Sequence, residues 1–543
     1  MKCLKPILIW AALIAVSATV AIFPQETPRR PGELVWTIGY DPKTFDPARV
    51  DDQESESVRH LTAGVLLRFN PVTQQVEPQL AESWSVSPDG KTVRFHLRRR
   101  LEFSDGASLT ARDAVWSIQR ILNKVTEAPT AVEFLKPEAV RVTSPDDSTV
   151  VVELPQRVIG IGRVFAEIAI EPAGRPSEAR VTAGPFMVSE YRRGQFIRLA
   201  RNPHYFKHNA AGKPLPYASG VRLDIVNNPE QEVRGLLRGE YDLIEGIAPD
   251  YFELLRQRDA RLVRDLGPSL NTEQLWFNQS PDSPLPAWEK KWFQTQGFRV
   301  ALSLAIDRAD LARIAYSGHA TPAYDFISPA NTAWYNRAIR VPAVDLKQAR
   351  ARLAAAGFHL AGDRLLDAEG HPVSFSILTN AGNAARARMA ALIQQDWKAL
   401  GIEVTVVALD FPALIDRLMH SQNYEACLLG LENVDPEPNQ MANIWLSSSP
   451  NHQWNPSEKS PATPWEAEID REMTLQASAP SMSVRKKAVD RVQQIVADQQ
   501  PFLYLVYPNT LDAISTRLEG VQPSVIQPGL TWNAEVLHLG GSR

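Results

Sequence analysis

The run Gly430–Asn439 reads GLENVDPEPN and sets three carboxylates, Glu432, Asp435 and Glu437, between and beside two prolines. Carboxylates at such spacing suit two kinds of chemistry. A pair with one raised pKa can act as general acid and base in an exported hydrolase. The same groups can instead bind a ligand amine, because a buried carboxylate is costly unless an ammonium or similar partner offsets it. The bland alternative is three solvated carboxylates in a proline-stiffened loop. Chemistry elsewhere is sparse. The ten histidines are scattered without the spacing of a helical metal pair. Phosphate-binding glycine loops, a nucleophile elbow and the His-Glu-x-x-His zinc motif are all missing. No cofactor or metal is therefore expected, and binding is favoured over an enzymatic reaction. Cys427, in the apolar run Ala426–Leu429, reads as a buried structural thiol.

The loop needs elements to hold it. Upstream of it, VSFSILTN, AARARMAALIQQDWKALG and IEVTVVAL read as strand, amphipathic helix and strand, a β-α-β unit that implies a parallel sheet. Asp345 is the expected cap of a helix that stops at Gly357, and Gly239 sits where another helix should end. Nearer the N-terminus, Pro88-Asp89-Gly90 and Asp105-Gly106 are turn signals around a strand over Thr92–Leu97. Thr110 and Asp113 then form a capping box for a helix carrying Val115, Ile118, Ile121 and Leu122 on one face. Strands alternating with helices give an α/β fold class.

The whole chain has 543 residues, enough for two to four domains, with 44% hydrophobic and 22% charged residues. A net charge of −4 gives no electrostatic case for nucleic acid. Residues 1–24 carry Lys2 and Lys5 followed by the apolar run Ile7–Phe23, the pattern of a secretory signal peptide. The run falls slightly short of the ~20 residues a spanning helix needs, so cleavage is favoured over retention as a membrane anchor. Residues 25–33 form a proline-containing linker. Once the signal is removed, Cys427 is the one cysteine left and no intramolecular disulfide can form.

Six phrases in order resemble the extracytoplasmic solute-binding proteins of family 5, the oligopeptide, dipeptide and nickel receptors of ABC importers. The most specific is VEPQLAESWSVSPDGKTVRFHLRRRLEFSDGASLTARDAVWSIQRI. TAGPFMVSEYRRGQFIRLARNPHYF, LLRGEYDLIEG, LWFNQS, FRVALSLAIDR and ARARLAAAGF follow. The resemblance implies a periplasmic-binding-protein-like fold of two large α/β lobes with a hinge, plus a smaller α+β domain. By analogy the first lobe is 34–70 plus 182–292 plus 508–543, the small accessory domain is 71–181, and the second lobe is 293–507. It also implies a periplasmic or extracytoplasmic monomer that delivers a ligand, by default oligopeptides, to an ABC transporter permease in the inner membrane. Metal chelates, sugars and opines are the alternative cargoes of the group. The signature phrase falls in the small domain and is expected to stay clear of the ligand.

In peptide-binding relatives the loop matching GLENVDPEPN carries a Trp and, three residues on, an Asp that pairs with the peptide amine. Those positions hold Leu431 and Val434, so Asp435 or Glu432 would have to substitute. A carboxylate-gripping Arg maps to Leu428 and a carboxylate-contacting His to Ala385, which leaves Arg386 and Arg388 as candidate clamps. DPARVDDQES matches a loop that contributes to ligand backbone binding and nominates Asp51 and Gln53. Trp454, in a proline-flanked loop, is expected as a pocket lid.

Overall fold

The structure, a computed structural model, describes residues 28–541 apart from 135–136, 177–178, 434–435 and 480. The signal segment and the two loop candidates Val434 and Asp435 lie outside the described residues.

The capping box forms as its spacing requires. Thr110 N donates to Asp113 Oδ2 at 2.8 Å and opens the helix Ala111–Leu122, whose Ala114, Ile118 and Ile121 are buried. That helix packs on a four-stranded antiparallel sheet in the order Ala81–Val86, Thr92–Leu97, Thr149–Glu153, Arg141–Asp146. The core between them contains Phe95, Phe103, Phe134 and Phe165, and runs from Ala48 and Leu66 to Ala183. This is the small α+β unit. Its turns use Gly90 and Gly106 at φ +72° and +82°, while Asp89 and Asp105 accept from Lys91 N and Ala107 N.

The rest is organised by one twelve-stranded sheet. Its first part joins Glu33–Ile38 in parallel to Gly220–Ile225, and then Phe196–Arg201 and Phe186–Arg192 antiparallel. Its second part contains the expected β-α-β unit. Ser374–Asn380 pairs in parallel with Glu403–Leu409 across the helix Ala384–Lys398, and Ala426–Leu431 continues the sheet. Each part has a core on both faces.

The two parts are joined by long strands. Phe502–Ile514 is a single strand that pairs with the second part over Phe502–Pro508 and with the first over Asn509–Ile514. The other crossing runs from Val263–Pro268, paired with the first-part half of that strand, to Thr272–Phe277, paired with its second-part half. Ser269 N donates to Pro508 O at 2.8 Å, so the two crossings touch at their midpoints. These crossings correct the expected boundaries. The division falls near 268–272, not at 292, because Thr272–Phe277 is buried on every residue and lies between Ala426–Leu431 and Phe502–Ile514 as an interior strand. Trp292 and Phe293 likewise belong to the second-lobe core.

Candidate functional site: a cleft between three units

A cavity of about 770 Å³ opens where the first lobe, the small unit and the second lobe meet. Three parts wall it: the helix Gln53–Thr62, the helix Ile161–Glu167, and residues 431–433 with 440–444, beyond the strand Ala426–Leu431. The C-terminal segment from Gln527 to Glu535 closes another side.

The first wall is a well-capped helix. Asp52 accepts from Ser55 N at 2.9 Å, and Val58 and Leu61 anchor the inner face. Glu56, Arg59 and His60 are left to line the cleft. Arg59 holds Glu56 in a fork, 2.7 Å through Nε and 2.6 Å through Nη2, and also donates to the Glu167 carbonyl of the small unit. His60 Nε2 lies 3.3 Å from the Trp532 carbonyl, and burial lowers its pKa, so the ring is neutral at neutral pH.

A second charge cluster centres on Glu535. Arg68 reaches its Oε1 at 2.6 Å and Lys207 reaches the same oxygen at 3.1 Å. Burial alone would raise this carboxyl, but Lys207 and Arg68 outweigh it and hold it at about 2. Arg68 also lies 5.2 Å over the Trp532 ring, and Arg163 lies 3.7 Å over Phe69. The lining thus alternates fixed charge with the apolar surfaces of Phe69, Trp532, Met441 and Ile444. Such a wall can hold a ligand that has both ionic and apolar parts.

Of the sequence candidates, Asp51, Gln53, Leu431 and Glu432 come together around this cleft. Asp51 and Gln53 are exposed at its rim, where Lys43 pairs with Asp51 at 3.2 Å. Glu432 is exposed, and the next residue, Asn433, ties the loop to the crossing segment through Asn271 Oδ1 at 2.9 Å and Leu270 O at 3.1 Å. Glu437 pairs with Arg485 at 2.7 Å.

Three candidates lie elsewhere. Arg386 is clamped on Glu273 at 2.8 and 3.0 Å and on Asn380 at 2.8 Å, so its guanidinium is already satisfied inside the second lobe. Arg388 donates to Ala315 O at 2.9 Å and pairs with Asp250 at 3.4 Å. Trp454 is no lid: it is fully buried among Trp445, Trp465 and Phe502, with its indole N–H on Glu466 at 2.9 Å. Nor does the small unit stand clear of the cleft, since Gln79 of the signature phrase, Arg163, Ala166 and Glu167 all line it. Cys427 is buried and burial pushes its thiol up, as a structural thiol requires. Sequence reasoning missed Arg59, His60, Arg68, Trp532 and Glu535. The charged face of QESESVRHLT was a usable signal for the first two.

The sequence profile of the bacterial extracellular solute-binding proteins, family 5, matches residues 75–453, well over half of the chain. The chain belongs to that family. Among relatives, it is 26% identical over 521 residues to the oligopeptide-binding protein AppA of Bacillus subtilis, covering 91% of this chain and 89% of AppA. It is 27% identical to the peptide transport periplasmic protein SapA of Salmonella typhimurium, covering 95% of each. Its fold matches the ABC transporter substrate-binding protein CtaP of Listeria monocytogenes with a TM-score of 0.77 at 22% identity, over 93% of this chain and 99% of CtaP. The family fold of two α/β lobes and a smaller α+β domain is therefore the fold of this protein.

Proposed function

We propose that this family member captures short peptides in the three-walled cleft and hands them to the permease of an ABC importer. The observation that carries the proposal is the cleft itself, which lies between lobes joined by crossing strands that touch at Ser269 and Pro508. Ligand that contacts walls from both lobes stabilises the closed arrangement over the open one, and the closed face is what a permease can recognise. The volume falls within the roughly 300–1,000 Å³ of small-ligand sites, and the mixture of arginines, carboxylates and aromatic surface suits a peptide's termini and side chains. The names of AppA and SapA support peptides as cargo. The N-terminal pattern supports export into the periplasm.

A non-peptide cargo is the second reading. Leu431 stands where peptide-binding relatives have a Trp, and Val434 where they have the amine-binding Asp. Native mass spectrometry of the purified mature protein, followed by denaturing release, separates the two. A ladder of short peptides supports the first reading, whereas one non-peptide mass supports the second. Small-angle scattering with the released ligand should show a smaller radius of gyration, and an unchanged radius counts against closure.

A further inference from the structure

His452, Glu458 and Glu466 converge inside the second lobe, with one ligand atom from each within 4.8 Å of the others. The histidine is fully buried and the two glutamate side chains are 4% and 3% exposed. His452 Nδ1 lies 2.9 Å from the Ile444 carbonyl. A carbonyl only accepts, so Nδ1 carries a proton and donates it there. Nε2 then faces Glu458 Oε1 at 3.6 Å and Glu466 Oε1 at 3.7 Å, and makes no hydrogen bond among the described residues.

The carboxylates are held in place from outside. Asn455 Nδ2 and Ala462 N, each at 2.7 Å, donate to the two oxygens of Glu458. Trp454 Nε1 at 2.9 Å and Thr463 Oγ1 at 2.7 Å do the same for Glu466. Each Oε1 keeps a second lone pair.

The separations of 3.6 and 3.7 Å exceed the ~2.7–3.2 Å of a hydrogen bond. A shift of a few tenths of an ångström would bring them to the roughly 3.3–3.6 Å that separates ligand atoms around a metal with bonds of about 2.0–2.2 Å at tetrahedral angles. A histidine oriented by a backbone carbonyl, beside carboxylates oriented by their own donors, is also the outer arrangement metal ligands use. We propose that His452, Glu458 and Glu466 bind a first-row divalent cation of the zinc type. Imidazole favours such an ion over calcium or magnesium. The ion would tie the loop after Trp445 and the helix Pro464–Ser478 to Ile444, which lines the cleft. Its role is structural, and it is separate from the identity of the cargo.

The test uses the mature chain, stripped with chelator and dialysed against Zn²⁺ as the probe. Elemental analysis should find one zinc per chain more in the parent than in Glu458→Gln or His452→Gln. Glu458→Gln keeps the side-chain volume and an acceptor for Asn455, and its circular dichroism without metal should match the parent. Co²⁺ in place of zinc should give the visible absorption of a four-coordinate ion in the parent alone. Zn²⁺ should raise the parent's Tm and chelator should lower it again, a comparison that needs no variant. His420→Ala removes an exposed histidine paired with Asp416 and should leave the stoichiometry unchanged. A parent that takes up no zinc, or zinc uptake that survives Glu458→Gln and falls with His420→Ala, would overturn the site.

Discussion

Arg386 and Glu273 meet fork to fork across the second-lobe sheet, Nε to Oε2 at 2.8 Å and Nη2 to Oε1 at 3.0 Å, with Tyr316 Oη adding 3.1 Å to the same carboxylate. Gly430 leaves room for this contact, since a Cβ there would come within 2.2 Å of the guanidinium. The pair is nearly enclosed, at 15% and 6% exposure. Removing one partner from such a pair costs about 3–5 kcal/mol, because the other charge is left unpaired. Arg386→Ala should therefore lower urea-unfolding stability by about 3 kcal/mol, while ligand affinity measured by calorimetry stays within a factor of two. A large affinity loss with stability intact would return Arg386 to the binding site.

Asn433 links the cleft loop to the interlobe crossing through Asn271 and Leu270. Replacing it with Ala removes the Nδ2 bond to the Leu270 carbonyl and frees the loop to move. Net worth is about 1 kcal/mol of stability. The larger expected effect is on ligand dissociation, which stopped-flow displacement should show several-fold faster. An unchanged off-rate would mean that the loop's position does not matter to binding.

Glu245 gives the stability a pH dependence. Its side chain accepts from Leu530 N, and burial, reinforced by Asp512, raises its pKa from 4.5 to about 8. The folded protein therefore binds more protons than the unfolded chain between those values. Its stabilising contribution is full below about 4.5 and is lost as pH rises through about 8. Tm should fall across that window, and Glu245→Gln should flatten the fall. A variant with the parent's slope would show that another group sets it.

Local signals were legible in the sequence because neighbours in the chain produce them. Thr110 with Asp113, Asp345 accepting from Gln348 N at 2.8 Å, and Gly239 in the left-handed conformation at φ +77° were all readable from spacing and residue type. The parallel unit around Ala384–Lys398 was readable from periodicity. What failed was long-range. Arg386 looked like a surface clamp because its partner lies 113 residues away. Trp454 looked like a lid because a proline-rich loop gives no hint that Trp445 and Phe502 enclose it. The cleft joins His60 to Trp532 across 472 positions, a pairing that no window of sequence contains. The lobe boundary slipped because Thr272–Phe277 follows the first-lobe strand Val263–Pro268 directly, with only three residues between.

The small unit's part in binding can be tested at Ala166. This residue sits on the helix Ile161–Glu167 and lines the cleft while remaining half-buried. The helix is fixed from behind by Phe165, whose ring contacts Phe95 at 4.7 Å and Phe134 at 5.9 Å. Ala166→Trp should therefore leave the fold in place and project an indole into the cavity. A ligand that fills the space between the three walls must then bind at least about ten-fold more weakly, a loss of about 1.4 kcal/mol. Tm without ligand should stay near the parent's, since the added group enters open space and displaces no packed side chain. If calorimetry instead finds unchanged affinity, the ligand is held by the two lobes alone and the small unit only borders the opening.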